Sequence, residues 1–266
     1  MLIKNKQIYD FSKCSYPPVG QCIYCGSKED LEKEHIIPYA LGGTTILPLS
    51  TCRNCAKITG HFEQEVLRGP MWPVRKLLKL KSRTKHINAL KTMKLLICKN
   101  EEEKQIEVPL EEYPAILHFL IFAPPEYGNE HYENRIALVG VNSIRFGLKP
   151  EEVLKKYGAD KLILKDRPVK PVIFAQTIAK IGYSYAVATG EIKKIKGQPL
   201  LLSALLGKSN DIGKWVGTSQ KNEVYQNLLH RLASFEEKEK GLLIIEVQLF
   251  ANSHTPIYEV IIGHLN

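Results

Sequence analysis

Apolar positions recur along this chain with two periods, and the change from one to the other divides it. In residues 53–67, Ala56, Ile58, Phe62, Val66 and Leu67 recur at spacings of three and four, which predicts a helix that Gly69-Pro70 stops. Residues 71–81 predict a second, short basic amphipathic helix, with Trp72, Val74, Leu77, Leu78 and Leu80 as its apolar part. Trp72, between Pro70 and Pro73, reads as core rather than as a base-stacking residue. From about residue 90 the texture turns to strands. Residues 90–98 and 105–110 flank the acidic turn Asn100-Glu101-Glu102-Glu103-Lys104, a hairpin signal. Residues 113–122 form a buried apolar run, helix or strand, that ends at Pro124-Pro125, and residues 136–141 read as a strand. The strongest helix of the second half covers 171–189, with Gly190 at its C-terminal side. Its Lys180, Tyr183 and Tyr185 read as one polar stripe or as core tyrosines. A short apolar helix over 198–206 precedes three closing antiparallel strands at 228–235, 242–250 and 257–262. The fold class is α+β.

At 266 residues, 44% hydrophobic and 24% charged, the composition is that of a soluble globular chain able to bury a core. No apolar run reaches the length of a membrane span, so no membrane partner is expected. The first residues lack a signal peptide's apolar stretch, which predicts a cytoplasmic protein with reduced thiols. The net charge of +9 is concentrated. Between Arg68 and Lys99 stand ten Lys/Arg and no Asp or Glu, leaving the rest near neutral. Such a segment is the footprint of a polyanion binder. Arg68, Arg75, Lys76, Lys79, Lys81, Arg83 and Lys85 are the expected phosphate contacts.

The densest chemistry lies in residues 21–63. Two Cys-x-x-Cys pairs, Cys22/Cys25 and Cys52/Cys55, each place two thiols on one tight turn. Together they make a four-thiolate set for structural Zn²⁺. A thioredoxin-like redox reading needs a βαβ setting that the pattern does not provide. Cys14 and Cys98 stand apart and read as small buried hydrophobes. Between the pairs lie Glu34-His35-Ile36-Ile37-Pro38 and Gly42-Gly43. The histidines of the second half are scattered singly, without metal-ligand spacing.

Residues 20–68 resemble the zinc-clamped HNH (ββα-metal) endonucleases. Their pattern is a Cys-x-x-Cys, an acid-His pair followed by two apolar residues and Pro, a Gly-Gly loop, and a second Cys-x-x-Cys opening a helix. The continuation C-x-x-C-x-x-I-T-x-x-F-E into V-L-R-G looks closest to a bacterial branch. The resemblance implies a small ββα-metal module over 21–88, after a lead-in at 1–20 and before an α+β domain at 89–266. It implies hydrolysis of DNA phosphodiesters, with His35 as general base and Glu34 as ligand to Mg²⁺ or Mn²⁺. RNA as substrate and homodimer formation stay open.

Three positions depart from the pattern. Glu34 stands where Asp is usual. Residues 46–51 contain no Asn to brace the histidine's backbone, and Ala56 replaces the last His or Asn, a metal ligand. Glu63, seven residues past Ala56 and so on the same helix face, is the preferred substitute ligand over His61, with Asn54 eligible only if the helix starts later. The alternative to a nuclease is a non-catalytic, zinc-stabilised nucleic-acid-binding protein with a degenerate site. A protein-interaction zinc ribbon leaves the acid-free basic run unexplained.

Overall fold

The computed structural model describes residues 15–80, 90–126, 136–164 and 168–266. The chain opens with an antiparallel pair, β1 (Leu31–His35) and β2 (Ile46–Cys52), and runs directly into α1 (Arg53–Arg68). A short helix α2 (Trp72–Leu77) follows. This β-β-α unit is the one the resemblance implies. The anticipated helix at 53–67 forms because Phe62, Val66 and Leu67 fall on one buried side, while Ile58 stays exposed.

Beyond residue 90, β3 (Thr92–Lys99) and β4 (Glu102–Pro109) form the anticipated hairpin. Its two-residue turn places Asn100 at φ 49° and Glu101 at φ 66°, the left-handed pair whose twist matches the strands. The apolar run becomes β5 (Ala115–Phe122), a strand paired with β6 (Leu138–Phe146). Next come α3 (Pro150–Tyr157) and β7 (Lys161–Ile163), the latter pairing with β3. The periodicity reading does not predict either. Helix α4 (Pro171–Ala188) agrees with the expected 171–189, whereas the expected helix at 198–206 contracts to α5 (Leu202–Leu205). A closing sheet has the order β8–β11–β10–β9, from β8 (Val216–Thr218), β9 (His230–Glu237), β10 (Leu242–Leu249) and β11 (Tyr258–His264).

Helix α4 organises the packing. Every residue from Phe174 to Ala186 is buried, so the helix has no solvent face over this stretch, and only its first turn, at Val172, is exposed. One side packs on α1 of the β-β-α unit and another on β10 and β11. At Gly182 a Cβ would stand 2.9 Å from Val260 side-chain atoms, so the approach to β11 needs glycine. One apolar core therefore runs from Cys22, Ile36 and Leu41 through Ile178 to Val247 and Ile262. The boundary expected near residue 89 does not divide this core. Leu95, Ile97, Val108 and Val153 instead form a small separate cluster under the β3–β4 hairpin and α3. Cys98 is only partly buried, on the other face of β3, where strand alternation puts it opposite Ile97. Cys14 lies outside the described residues.

A histidine ties the closing sheet to the opening unit. His230 on β9 accepts the Phe250 backbone N–H at Nδ1 (3.2 Å), so Nε2 carries the proton and donates to the Leu41 carbonyl at 2.8 Å. Burial drives its pKa down to about 4, partly opposed by the Leu41 carbonyl. An unfolded histidine titrates near ~6.5, so the folded state holds fewer protons below that pH. The stability contributed by the neutral ring is complete above ~6.5 and is lost as pH falls through the folded pKa, about 3 kcal/mol in all. Denaturant unfolding at pH 7 and pH 4 should show wild type losing about 3 kcal/mol more than His230→Gln, which keeps a donor for Leu41. Equal losses in the two proteins would rule out this role.

Candidate active site and metal centre

The cysteines come together where the sequence places them. Cys22 and Cys25 bracket a tight turn in which Gly26 N–H donates to the Cys22 carbonyl at 2.8 Å and Cys22 N–H to the Ser27 carbonyl at 2.7 Å. Cys52 is both the last residue of β2 and the N-cap of α1, and Cys55 lies in the first turn of that helix. All four Sγ atoms lie within 4.8 Å of one another, with Cys25 and Cys52 at 3.6 Å. Tetrahedral Zn²⁺ with Zn–S bonds of ~2.3 Å needs sulfurs ~3.8 Å apart, so this donor set fits a structural zinc ion. Four protein ligands leave no open position for chemistry. The Cys55 backbone N–H lowers the Cys52 thiol pKa to about 7, whereas burial pushes the Cys25 and Cys55 thiols up.

The acid-histidine pair sits at the end of β1. Glu34 lies opposite Leu47 and His35 opposite Ile46, after a register irregularity between Glu32 and Glu34. Strand alternation then sends Glu34 inward, 8% exposed, and leaves His35 half-buried. The His35 ring meets Tyr39 edge-on, with centroids 5.6 Å apart. The loop that follows turns within a very small space. At Gly43 a Cβ would stand 1.9 Å from the Ile37 carbonyl oxygen.

Glu34 is densely bonded. Its Oε2 accepts from Thr51 Oγ1 at 3.0 Å and Tyr24 Oη at 3.2 Å, and its Oε1 accepts the His35 backbone N–H at 3.1 Å. The remaining partner comes from the other half of the chain. Lys180 of α4, wholly buried, places Nζ 2.7 Å from Glu34 Oε1 and 2.8 Å from Glu63 Oε1. The same ammonium donates to the His35 carbonyl. Burial opposes the charge on Lys180, but Glu34 and Glu63 outweigh it and hold the pKa above the ordinary lysine value. Tyr183 donates to the Ile23 carbonyl, and Ser184 Oγ lies 3.4 Å from Tyr24 Oη. Lys180, Tyr183 and Ser184, spaced i, i+3, i+4, thus form the α4 face that meets the β-β-α unit. Tyr185 lies on another side of α4 and is buried in the core, which agrees with the core-tyrosine reading.

The other anticipated site residues separate into groups. Glu63 joins Glu34 through Lys180. His61 does not: it is exposed, on another side of α1, lining a cavity of about 410 Å³ with Lys57, Ile58, Phe62, Ile173 and Gln176. Asn54 is exposed in the first turn of α1, and half-buried Ala56 offers no donor atom. Sequence reasoning missed Lys180 as a site residue. Its only signal was a lysine inside the most apolar helix of the chain.

The basic segment also divides. Arg68 and Lys79 are exposed. Arg75 is 9% exposed, with Nε donating to the Ala40 carbonyl at 2.7 Å and an NH1 proton to the Leu67 carbonyl at 2.8 Å. Lys76 is buried too, its Nζ 5.5 Å from the centre of the Trp72 ring. The expectation that Arg75 and Lys76 face phosphate is therefore corrected: both are built into the packing of α2. Lys81, Arg83 and Lys85 lie outside the described residues.

Two outcomes follow from this geometry. Purified chain should carry about one zinc equivalent, and Cys55→Ser should fall below about half an equivalent with a lower melting temperature. Full zinc content in that variant would remove Cys55 from the ligand set. Arg75→Ala should cost about 2–3 kcal/mol in denaturant unfolding, because it leaves two carbonyls without their charged donor. Arg68→Ala, on the surface, should leave stability within about 0.5 kcal/mol of wild type.

Comparison with known proteins agrees with the geometry. A protein-family model described as HNH endonuclease matches residues 22–69. No curated protein and no solved structure matched the chain. The segment from Cys22 to Gly69 thus matches the HNH endonuclease model in sequence, and its β-β-α order and four-cysteine cluster agree with that likeness.

Proposed function

We propose that the protein hydrolyses phosphodiester bonds of DNA through its HNH module, with His35 as the general base that takes a proton from the attacking water. The observation that carries this reading is the way His35 is held. Its backbone N–H is bound by Glu34 and its carbonyl by Lys180, so the peptide is fixed on both sides while the ring stays half-buried at the rim. An imidazole with a free pKa near ~6.5 suits proton transfer at neutral pH once it is oriented. Glu34 and Lys180 are on this reading positioning residues, and Lys180 does what the missing Asn would have done, from a different part of the chain. Exposed Arg68 and Lys79, next to α1, support the phosphate backbone of the substrate.

Phosphodiester chemistry commonly uses a hard cation such as Mg²⁺ or Mn²⁺ to stabilise developing charge. The residues do not fit such an ion at the expected place, because Lys180 Nζ already lies between Glu34 and Glu63. That same observation, with Ala56, favours the second reading, a nucleic-acid-binding module that does not cut.

Supercoiled-plasmid nicking separates the two. Wild type should nick, and His35→Ala should lose about 10²- to 10⁴-fold in rate. Equal rates in the two proteins sink the assignment of His35. No nicking by wild type with Mg²⁺, with Mn²⁺ or with neither, alongside DNA binding that weakens steeply with salt, selects the binding module.

A further inference from the structure

We infer that Lys180 closes a latent divalent-cation site, with its ammonium standing at the point where the ion would bind. Three oxygens converge on Nζ: Glu34 Oε1 at 2.7 Å, Glu63 Oε1 at 2.8 Å and the His35 carbonyl. Two carboxylates and a carbonyl are the all-oxygen donors that hard cations select. Bonds to Mg²⁺ run ~2.0–2.1 Å, so an ion at the Nζ position would need each oxygen to move in by only ~0.7 Å. The ammonium donates to the His35 carbonyl and stands at ion-pair distance from both carboxylates. Lys180 is wholly buried, so it offers no donor to a substrate phosphate and acts only on the oxygens around it. It comes from α4, more than a hundred residues beyond the module, so the closure is made by the second half of the chain.

The acid pair of the β-β-α unit is therefore half-neutralised from within the protein, one ammonium against two carboxylates. Any hydrolysis by wild type proceeds without a divalent ion on Glu34 and Glu63. Replacing Lys180 with a short uncharged side chain such as alanine turns the closed cradle into an open one. The two carboxylates then face each other without the Lys180 ammonium and favour binding a cation in its place. This rests on the proposed function only in taking the module's acid as the ordinary cation ligand.

The test is Mn²⁺ binding to the zinc-replete full-length chain, read by loss of the free-ion paramagnetic resonance signal and by melting temperature. Zinc in the four-cysteine site keeps Mn²⁺ from that set. Wild type should bind no Mn²⁺ that depends on Glu63, and its melting temperature should not rise with the ion. Lys180→Ala should bind about one equivalent, with a melting temperature that climbs as Mn²⁺ is raised. Lys180→Ala/Glu63→Gln should lose both effects. A folded Lys180→Ala chain that neither binds Mn²⁺ nor is stabilised by it overturns the inference. So does wild-type binding that Glu63→Gln abolishes. If Lys180→Ala folds only with Mn²⁺ present, the inference is supported; if it folds under no condition, the comparison of wild type with Glu63→Gln decides alone. Cleavage is not the readout, so a chain that cuts nothing still gives an answer here, and failure of the hydrolase reading stays a separate result.

Discussion

A single buried charge arrangement holds the two halves of this molecule in register: Lys180 with Glu34 and Glu63. Removing a charge from water costs several kcal/mol, and only close partners with good geometry offset it. Here the offset is supplied by two carboxylates, and Glu34 is itself supported by Tyr24, Thr51 and a backbone N–H. Loss of one partner would leave a buried charge unmatched, an error of about 3–5 kcal/mol. Such an arrangement tolerates little displacement. It fixes the rotation of α4 about its axis, and with it the positions of Tyr183 and Ser184 against the first cysteine pair. The apolar contacts around it supply cohesion without orientation, since hydrophobic burial is non-directional.

What was legible in the sequence was local. Two cysteine pairs specify their own cluster because each pair is set by one turn and the two turns adjoin β1 and β2. Helix α1 announces itself by periodicity and by Gly69-Pro70. The hairpin of β3 and β4 is readable because its turn residues and its alternation agree. Helix α3 also had its signals: Pro150 at the first position, acids in the first turn, lysines in the last and Gly158 at φ 59° after the end. Its single fully buried residue, Val153, gives too weak an apolar stripe for periodicity to register.

What was not legible is long-range. Nothing near Glu34 indicates that its partner lies 146 positions away, and nothing near Lys180 indicates what it faces. A lysine in a helix of Ile, Ala, Tyr and Gly can only say that some buried acid exists. The same limit explains Arg75 and Lys76. Their sequence context is a basic run, and charge alone does not distinguish a side chain that reaches solvent from one bonded to the carbonyls of Ala40 and Leu67. Glu63 was reachable from helix geometry, since seven residues return to the same face, but the group it contacts there was not.

The burial of α4 on every side bears on how such a protein can be altered. The underside of the β-β-α unit is the surface of a helix encoded by the other half, and Glu34 and Glu63 meet the Lys180 ammonium only when that helix is present. Cutting or transplanting the unit at the edge of the family match would take Glu34 and Glu63 away from their counter-charge and expose Ile23, Tyr24 and Phe62 to water. A substitution on α4 is, in effect, a substitution in the β-β-α unit.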